Sequence, residues 1–270
     1  MNARALRLAL PALLLLAACG GSSNDGGGGT PEPVVPLLSG SGGGAVAWDT
    51  GGARDGGLLG GSFTFDAAGK MTAFQDGAGW GFSNGTTDDF SADGLVAWGR
   101  WTAGTSTHPS LGGTIRQLHY AVTTTPHNTP ASVLATLKRS YTAARSTATT
   151  AADASGVTAS APDEVTGTLA VDYAANTATY DLTASVKGQT FRLQGTATFA
   201  KGSAGDARII GPSNGTVTSA GGCTTACGGW LTYGKNVHGV IVGPAGERAV
   251  LGFTVTSPVA GNVAGLVVMR

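Results

Sequence analysis

Apolar and polar residues alternate along residues 165–199, and this pattern predicts β-strands with one buried and one solvated face. The alternation runs through three segments, which are separated by a turn at residues 174–176 and by Lys187-Gly188. Strands of period two joined by tight turns are typical of an antiparallel meander. The predicted inner face consists of Val165, Leu169, Val171, Tyr173, Ala178, Tyr180, Leu182, Ala184, Val186, Phe191, Leu193, Ala197 and Phe199.

Three further β-type runs lie near the C-terminus, at residues 237–242, 249–256 and 262–269. Gly243-Pro-Ala-Gly246 separates the first two runs, and Ser257-Pro258 with Gly261 separates the last two. Glycine and proline supply the backbone angles that such turns need. A chain that ends on a strand must pair that strand, and closing a barrel does so without leaving an exposed edge.

Upstream of the meander, residues 114–122 and 139–147 predict two more strands, although a helix is an alternative for the second. Residues 131–137 predict a short helix, with Thr129 as its cap and Pro130 at its first position. Residues 202–229 contain Asn214-Gly215 and predict a long insertion between strands. With the meander and the C-terminal runs, the count of predicted strands reaches eight.

Eight antiparallel strands are enough to close a barrel that side chains fill. The fold class is therefore predicted to be all-β, as an eight-stranded antiparallel up-and-down barrel with a short helix, over residues 105–270. Residues 40–104 carry only short β signals, including a hairpin around Asp66-Ala-Ala-Gly-Lys70. They predict a small Gly-rich β segment that packs against the larger domain.

Several stretches resemble the transferrin-binding-protein-B-like β-barrel lipoproteins. They are Thr168-Leu-Ala-Val-Asp-Tyr-Ala-Ala-Asn-Thr177, Phe191-Arg-Leu-Gln-Gly195, Gly239-Val-Ile-Val-Gly-Pro-Ala-Gly-Glu247, and residues 95–101 and 118–122. The resemblance covers residues 95–270 and implies an exported barrel with a binding role. The sequence departs from the family pattern at Ile241, where an aromatic residue is usual, and at Gly246, where alanine is usual. The family's loops for iron-carrier proteins have no match here, so the resemblance implies no binding residue.

The first eighteen residues read as an export signal, because Arg4 and Arg7 precede a short apolar run at residues 8–18. Leu16-Ala-Ala-Cys19 resembles the lipobox of bacterial lipoproteins. That resemblance implies cleavage before Cys19, a diacylglycerol on its sulfur and an acyl chain on its amino group. Gly20 in place of aspartate implies transfer to the outer membrane. The alternative is an ordinary secretory signal in which the cysteine is incidental.

Residues 19–39 predict a lipidated tether, since a Gly-rich coil is followed by a stiffer Pro-rich stretch. The remaining cysteines, Cys223 and Cys227, are four residues apart in a Gly-rich loop. In an oxidising compartment they predict one local disulfide. A metal site, which would need further ligands, is the alternative.

The balance of charges argues against nucleic acid and against a basic membrane-binding surface. Removal of Arg4 and Arg7 leaves 14 of the 16 Lys and Arg against 16 Asp and Glu. A mature chain that is near neutral has no electrostatic attraction to polyanions. The membrane is expected to be reached through the lipid anchor alone.

Residue patterns that could carry catalysis or metal binding are weak. Gly81-Phe-Ser-Asn-Gly85 has the spacing of a nucleophile elbow around Ser83, but no amphipathic helix follows it. The four histidines show no ligand spacing, and His119 is expected to be packed or at the surface. Asp88, Asp89 and Asp93 match no calcium loop. The tryptophans are expected in the core, with an exposed patch of Trp98, Arg100 and Trp101 as an alternative.

These observations predict a non-enzymatic lipoprotein of the outer membrane, facing the cell surface or the periplasm, whose barrel binds a host or nutrient-related protein. No cofactor other than the covalent lipid on Cys19, no metal and no catalytic residue is expected. One alternative is a carrier barrel for a small apolar ligand, and the last is a hydrolase that uses Ser83.

Overall fold

The computed structural model describes residues 40–49, 57–76, 81–107, 113–123, 136–201, 207–219, 237–257 and 260–270. Side chains are described for 62–75, 81–107, 113–123, 136–198, 237–257 and 260–270. Within these ranges every regular element is a β-strand, and all ladders are antiparallel. The prediction of an all-β antiparallel fold is confirmed.

The first sheet contains seven strands and has a core of its own. Their bounds are β1 (Gly40–Asp49), β2 (Gly57–Phe65), β3 (Met71–Asp76), β4 (Gly81–Ala92), β5 (Ala97–Ser106), β6 (Gly113–Ile115) and β7 (Gln117–Thr123). The strand order is β4-β3-β2-β1-β7-β5-β6, and β4 also pairs with β5. Six of the seven strands therefore form a closed ring, with β6 as a short extension beside β5.

Aromatic side chains fill this ring, which explains how a Gly-rich segment folds. Phe63 and Phe74 face each other across β2 and β3 with ring centroids 5.1 Å apart. Trp101 and Tyr120 lie edge to face at 6.5 Å and are completely buried. Because each large aromatic ring removes much apolar surface from water, few of them are needed for a small core.

The second sheet contains ten strands, eight of which form a closed barrel. Their bounds are β8 (Lys138–Ser146), β9 (Thr150–Asp153), β10 (Gly156–Ala159), β11 (Thr166–Asp172), β12 (Thr177–Val186), β13 (Gln189–Lys201), β14 (Ala207–Ser219), β15 (Val237–Val242), β16 (Arg248–Ser257) and β17 (Gly261–Met269). The ladder runs from β17 through β16, β15, β14, β13, β12 and β11 to β8, and β8 pairs with β17. The last strand of the chain therefore closes the ring, as predicted.

Two of the predicted barrel assignments are wrong. Residues 114–122 belong to the first sheet as β6 and β7, where β7 pairs with β1 and β5. Residues 207–219, predicted as part of an insertion, form the eighth barrel strand β14. This strand was not predicted because it contains residues that usually form turns. The ladder between β13 and β14 shifts register where Pro212 pairs with Ala197. Such a shift accommodates a residue that lacks the N–H for regular pairing.

The division between the two sheets falls between β7 and β8, whereas the predicted boundary after residue 104 lies inside β5. Residues 138–150, for which strand and helix were both considered, form β8 and the start of β9. The predicted helix at residues 131–137 lies outside the described ranges except for its last two residues.

The tight turns adopt the left-handed backbone that their residues favour. Asn176 and Lys187 have φ values of 53° and 52°, and both lie at predicted turns of the meander. Gly246, which stands where the family usually has alanine, has a φ of 71°. Glycine adopts that conformation without the strain that a Cβ atom brings, so the departure suits this turn.

An apolar interface joins the first sheet to the barrel. Val96 and Trp98 of the first sheet pack with Ala121 on the outward face of β5 and β7. They meet the outward side chains of β15 to β17, which are Val240, Val242, Val250, Leu266 and Val268. These strands are therefore buried on both faces, and they read as continuous apolar runs for that reason.

Candidate functional site

The predicted modification residues lie outside the described part of the chain. This applies to the lipidation residue Cys19 and to the disulfide pair Cys223 and Cys227. The lipid and the disulfide remain predictions. His108, His127, Trp80 and Trp230 also lie outside the described ranges, and the side chain of Trp48 is not described. The remaining candidates are Ser83, Asp88, Asp89, Asp93, Trp98, Arg100, Trp101, His119 and His238, and the structure describes each of them.

Ser83 lies on a β-strand and not at a strand-to-helix turn. Its hydroxyl is 2.9 Å from the Thr105 hydroxyl of the neighbouring strand. The residue after it, Asn84, has a φ of 56° and begins a bulge in β4. The nucleophile elbow requires a helix after the serine, so this geometry does not support hydrolysis at Ser83.

The alternative of an exposed Trp98, Arg100 and Trp101 patch is wrong, because all three side chains are buried. Trp101 lies in the core of the first sheet, and its indole nitrogen donates to the Met71 carbonyl at 2.7 Å. Gly85 makes room for it, since a Cβ there would lie 2.0 Å from the indole ring. The bulge in β4 thus serves the packing of Trp101.

Arg100 organises a buried polar network at the interface between the sheets. Its guanidinium donates to Asp89 at 2.7 Å, to Asp88 at 2.6 Å and to Gln117 at 3.0 Å. The Asp89 carboxylate also accepts from the backbone of Ala148 in the barrel at 3.2 Å. Asp88 and Asp89, which were considered for calcium, therefore bind an arginine. Asp93, the third such aspartate, pairs with Arg248 at 2.6 Å across the interface.

His119 extends this network into the barrel. Its two ring nitrogens lie 2.8 Å from the hydroxyls of Thr147 and Thr150, and the ring is completely buried. Burial, reinforced by the nearby Arg100 charge, lowers the pKa of His119 to about 3. The imidazole is thus neutral and structural, and the expectation of a packed histidine is confirmed.

The barrel interior contains one continuous hydrophobic cluster. Leu169, Leu182 and Phe191 from the meander meet Leu251 and Phe253 from the closing strands, and all are completely buried. A void large enough for water beside these side chains would leave part of their surface accessible. Around the described interior residues the barrel is therefore filled.

Both barrel ends are crossed by polar contacts. At one end, Lys187 in the turn after β12 pairs at 2.5 Å with Asp153, the last residue of β9. At the other end, Arg139 and Tyr141 both donate to the carbonyl of Gly246, at 2.7 Å and 2.9 Å. The first contact ties the turn after β12 to β9, which lies beside β17, and the second ties β8 to the turn before β16. Neither contact joins strands that pair with each other.

The outward face of the meander is exposed and polar. Threonine occupies most of its positions, including Thr168 and Thr179. Its charges neutralise one another, since Arg192 forms two hydrogen bonds with Asp181 and Lys138 pairs with Asp172. This face has no concentrated charge and no large apolar patch.

A shallow trough of about 330 Å³ lies on the first sheet, between the outward side chains of β2, β3 and β4. Ser62 and Gln75 flank it, and Ala73 and Gly81 lie at its floor. The sequence predicts a hairpin here, and no role was expected for its outward residues. The signal was the alternation of Ser62 and Thr64 with Phe63 and Phe65, which assigns two hydroxyls to the solvated face.

In the part of the chain that the structure describes, no three His, Cys, Asp or Glu side chains are grouped so that they could hold a metal ion. No helix among the described residues is long and apolar enough to cross a membrane.

Comparison with known proteins gives structural similarities at low sequence identity. The N-lobe domain of lactoferrin-binding protein B from Moraxella bovis is similar with a TM-score of 0.40 and 12% identity, over 87% of this chain and 99% of that one. A surface lipoprotein is similar with a TM-score of 0.36 and 15% identity, over 65% of this chain and 76% of that one. Transferrin-binding protein B from Neisseria meningitidis is similar with a TM-score of 0.35 and 10% identity, over 84% of this chain.

The chain spans less than half, 42%, of that transferrin-binding protein B. No family model matches the chain, and no curated protein matches it. The proteins that the sequence resembles are thus also those to which the structure is similar. At this level of identity no site residue and no partner is transferred from them.

Proposed function

We propose that this protein is a lipoprotein, anchored in the outer membrane through acylated Cys19, whose two packed sheets form a non-catalytic binding module for a host or nutrient-related protein. The observation that carries the proposal is the filled barrel. Because apolar side chains occupy the described interior and polar contacts cross both ends, the outer surface is what remains for recognition. The sequence resemblance to transferrin-binding-protein-B-like lipoproteins supports a protein as the partner.

The tether supports presentation of this module away from the membrane. Residues 19–39 are 21 residues, which can span up to about 70 Å when fully extended. A Gly-rich coil followed by prolines is partly flexible and partly extended. Several acyl chains on Cys19 would give stable anchoring, where a single chain would give only marginal binding.

The carrier alternative receives no support from the described interior. Ligand pockets in proteins enclose about 300–1,000 Å³ of space, and the inward side chains that are described, which exclude those of β14, leave no such room beside them. A second function is therefore not proposed.

Lipidation is tested by growing cells with tritiated palmitate and comparing the wild-type chain with Cys19→Ser. We expect label in the wild-type protein only, and recovery of the variant in the soluble fraction. Cys223→Ser is a matched control that leaves the lipobox intact and should take up label like the wild type. Equal labelling of wild type and Cys19→Ser would contradict the anchor.

Surface presentation is tested by adding protease to intact cells and to spheroplasts. Cleavage on intact cells is expected if the module faces outward. Resistance on intact cells with cleavage in spheroplasts would place it in the periplasm and would count against recognition of a host protein. Capture of proteins from host serum by the purified mature chain then addresses the partner, with a heat-unfolded sample as the control. Failure to retain any protein at micromolar concentration would contradict the binding role.

A further inference from the structure

We propose that the trough on the first sheet is a binding site for a neutral saccharide. The trough is formed by the outward side chains of β2, β3 and β4 with Thr107 after β5. The inference rests on the proposed binding function and deepens it, because it names a site and a class of ligand.

The concave shape comes from the order of residues in two rows across the strands. In one row Ser62 pairs with Gln75, Gln75 pairs with Gly81, and the Thr107 amide donates to the Gly81 carbonyl at 2.9 Å. In the other row Thr64 pairs with Ala73, and Ser83 pairs with Thr105. Each row contains one small residue beside its larger polar ones, which is Gly81 in the first row and Ala73 in the second.

Gly81 keeps the floor low for a structural reason. A Cβ at this position would lie 2.5 Å from the carbonyl oxygen of Phe74, so no other residue fits without a backbone shift. Ala73 adds only a methyl group beside it. The floor is therefore set by backbone and by one methyl, and the polar side chains stand around it as a rim.

The rim offers hydrogen-bonding groups that the protein itself does not use. Among the described residues, the side chains of Ser62, Thr64 and Gln75 make no hydrogen bond, and all three residues are exposed. On the opposite wall the hydroxyls of Ser83 and Thr107 are held in place by Thr105 and by the backbone of Gly81. One wall is thus pre-oriented and the other can adapt, and each hydroxyl and amide can both donate and accept.

The chemistry of the rim selects for an uncharged ligand. None of the nine residues that line the trough is ionisable. A charged ligand would lose hydration without meeting an opposite charge, and an apolar ligand would leave the hydroxyls unpaired. A sugar ring carries hydroxyls that match donor and acceptor groups at close spacing. The volume of about 330 Å³ is at the lower end of ligand sites, which suits one or two sugar units.

The position of the trough leaves it accessible. In the ring of the first sheet β3 lies opposite β7, and β7 packs against the barrel together with β5 and β1. Of the trough strands, β2 also approaches β15, whereas β3 and β4 lie on the side of the ring away from the interface. The saccharide could be a free polysaccharide or the glycan of a glycoprotein, since both present the same neutral rings.

The test uses the purified mature chain in detergent, applied to an array of neutral oligosaccharides built from mannose, galactose, glucose and N-acetylglucosamine. Ala73→Leu fills the floor and Gln75→Ala removes a rim amide. Ala170→Leu, at an exposed alanine of β11, is the matched control for added apolar volume. We expect binding to at least one neutral structure, a loss of about tenfold or more with Ala73→Leu and with Gln75→Ala, and no change with Ala170→Leu.

No binding to any neutral saccharide at millimolar concentration would overturn the inference. So would binding restricted to sialylated or sulfated glycans, or binding that Ala73→Leu leaves intact while circular dichroism shows a folded chain. Free mannan and a mannose-bearing glycoprotein, the second with and without enzymatic deglycosylation, distinguish the two sources. If the wild type and Ala73→Leu capture the same serum protein equally well, the saccharide site fails while the proposed binding function stands.

Discussion

Strands β11 to β13 and strands β15 to β17 belong to one barrel, yet their outward side chains have different surroundings. On the meander the outward positions are polar and solvated, as at Thr168 and Thr179. On the closing strands they are valines and leucines covered by the first sheet, as at Val250 and Val268. The inward side chains of both groups meet in a single core. Alternation therefore identifies a free face, and a continuous apolar run identifies a covered one.

The two groups of strands therefore have different roles in the fold. The closing strands were predicted from three apolar runs separated by glycine and proline, and the structure shows that their outer faces also pack against the first sheet. The meander remains free for solvent. The account holds only if the two outer faces respond differently to the same substitution.

The largest difference is expected when a charge is placed on each outer face. Val268→Asp would bury a carboxylate at the covered interface, and it should lower the free energy of unfolding by about 4 kcal/mol or more. Thr179→Asp makes the same change at an exposed outward position and should alter it by about 0.5 kcal/mol. Urea unfolding of both variants measures the contrast. Equal costs would show that the interface is not maintained in solution.

The inner faces of the two groups of strands should respond alike to the loss of a side chain. Leu182 and Leu251 are both completely buried in the core cluster, one from each group of strands. Truncating either to alanine should cost about 2–5 kcal/mol, because the removed side chain leaves a cavity. Urea unfolding again provides the value. A cost near zero for Leu182→Ala, with a normal cost for Leu251→Ala, would indicate space beside the meander.

Ion pairs at the covered interface and on the exposed meander should also differ. Asp89 is bound to Arg100 where both side chains are nearly inaccessible, at 11% and 8%. Asp89→Ala removes the buried carboxylate partner of that arginine and the acceptor for the Ala148 amide, and it should cost about 3 kcal/mol. Asp181→Ala removes the exposed partner of Arg192 on the meander and should cost less than about 1 kcal/mol. A reversed order in thermal or urea unfolding would contradict the role given to the interface network.

The smallest effect is a pH dependence that His119 should confer on the interface. Because its pKa is lowered to about 3 in the fold, from an ordinary value near 6.5, the folded protein resists protonation of this ring. The stabilisation is complete above pH 6.5 and declines as the pH falls, by about 2 kcal/mol at pH 5. The carboxylates whose pKa is lowered by ion pairs, such as Asp181, change stability only below about pH 4.

His119→Gln should remove that part of the pH dependence between pH 7.5 and pH 5, measured by urea unfolding at both values. The glutamine can still bond to the threonine hydroxyls, so the variant is expected to fold. An unchanged dependence in His119→Gln would assign the titration to another group.

The alternating segments were predictable down to the individual inward residue, because a single buried face imposes period two on the local sequence. Leu182, Phe191 and Leu193 all lie in the core as expected. The sheet to which residues 117–123 belong was not predictable, since their partner β1 is a Gly-rich stretch without a pattern that sets register. Strand β14 was not predicted, because the glycine and proline near its bulge are typical of turns.

The polar interface could not be derived from the sequence for another reason. His119 meets Thr147 and Thr150, and Arg100 with Asp89 meets Ala148. These contacts join segments that no local pattern relates, so the sequence allowed His119 to be packed or at the surface and gave it no partner. The trough could not be predicted for the same reason, because Ala73 and Gly81 form its floor only when four strands are in register.

A barrel that is filled, as it is around its described interior residues, should hold no small molecule, and native mass spectrometry can measure whether it does. The Cys19→Ser chain would be purified without detergent and measured under conditions that preserve bound apolar molecules. The account predicts the mass of the polypeptide alone. A co-purified apolar molecule of constant mass, lost when Leu182→Trp occupies additional interior space, would contradict the account and establish the barrel as a carrier.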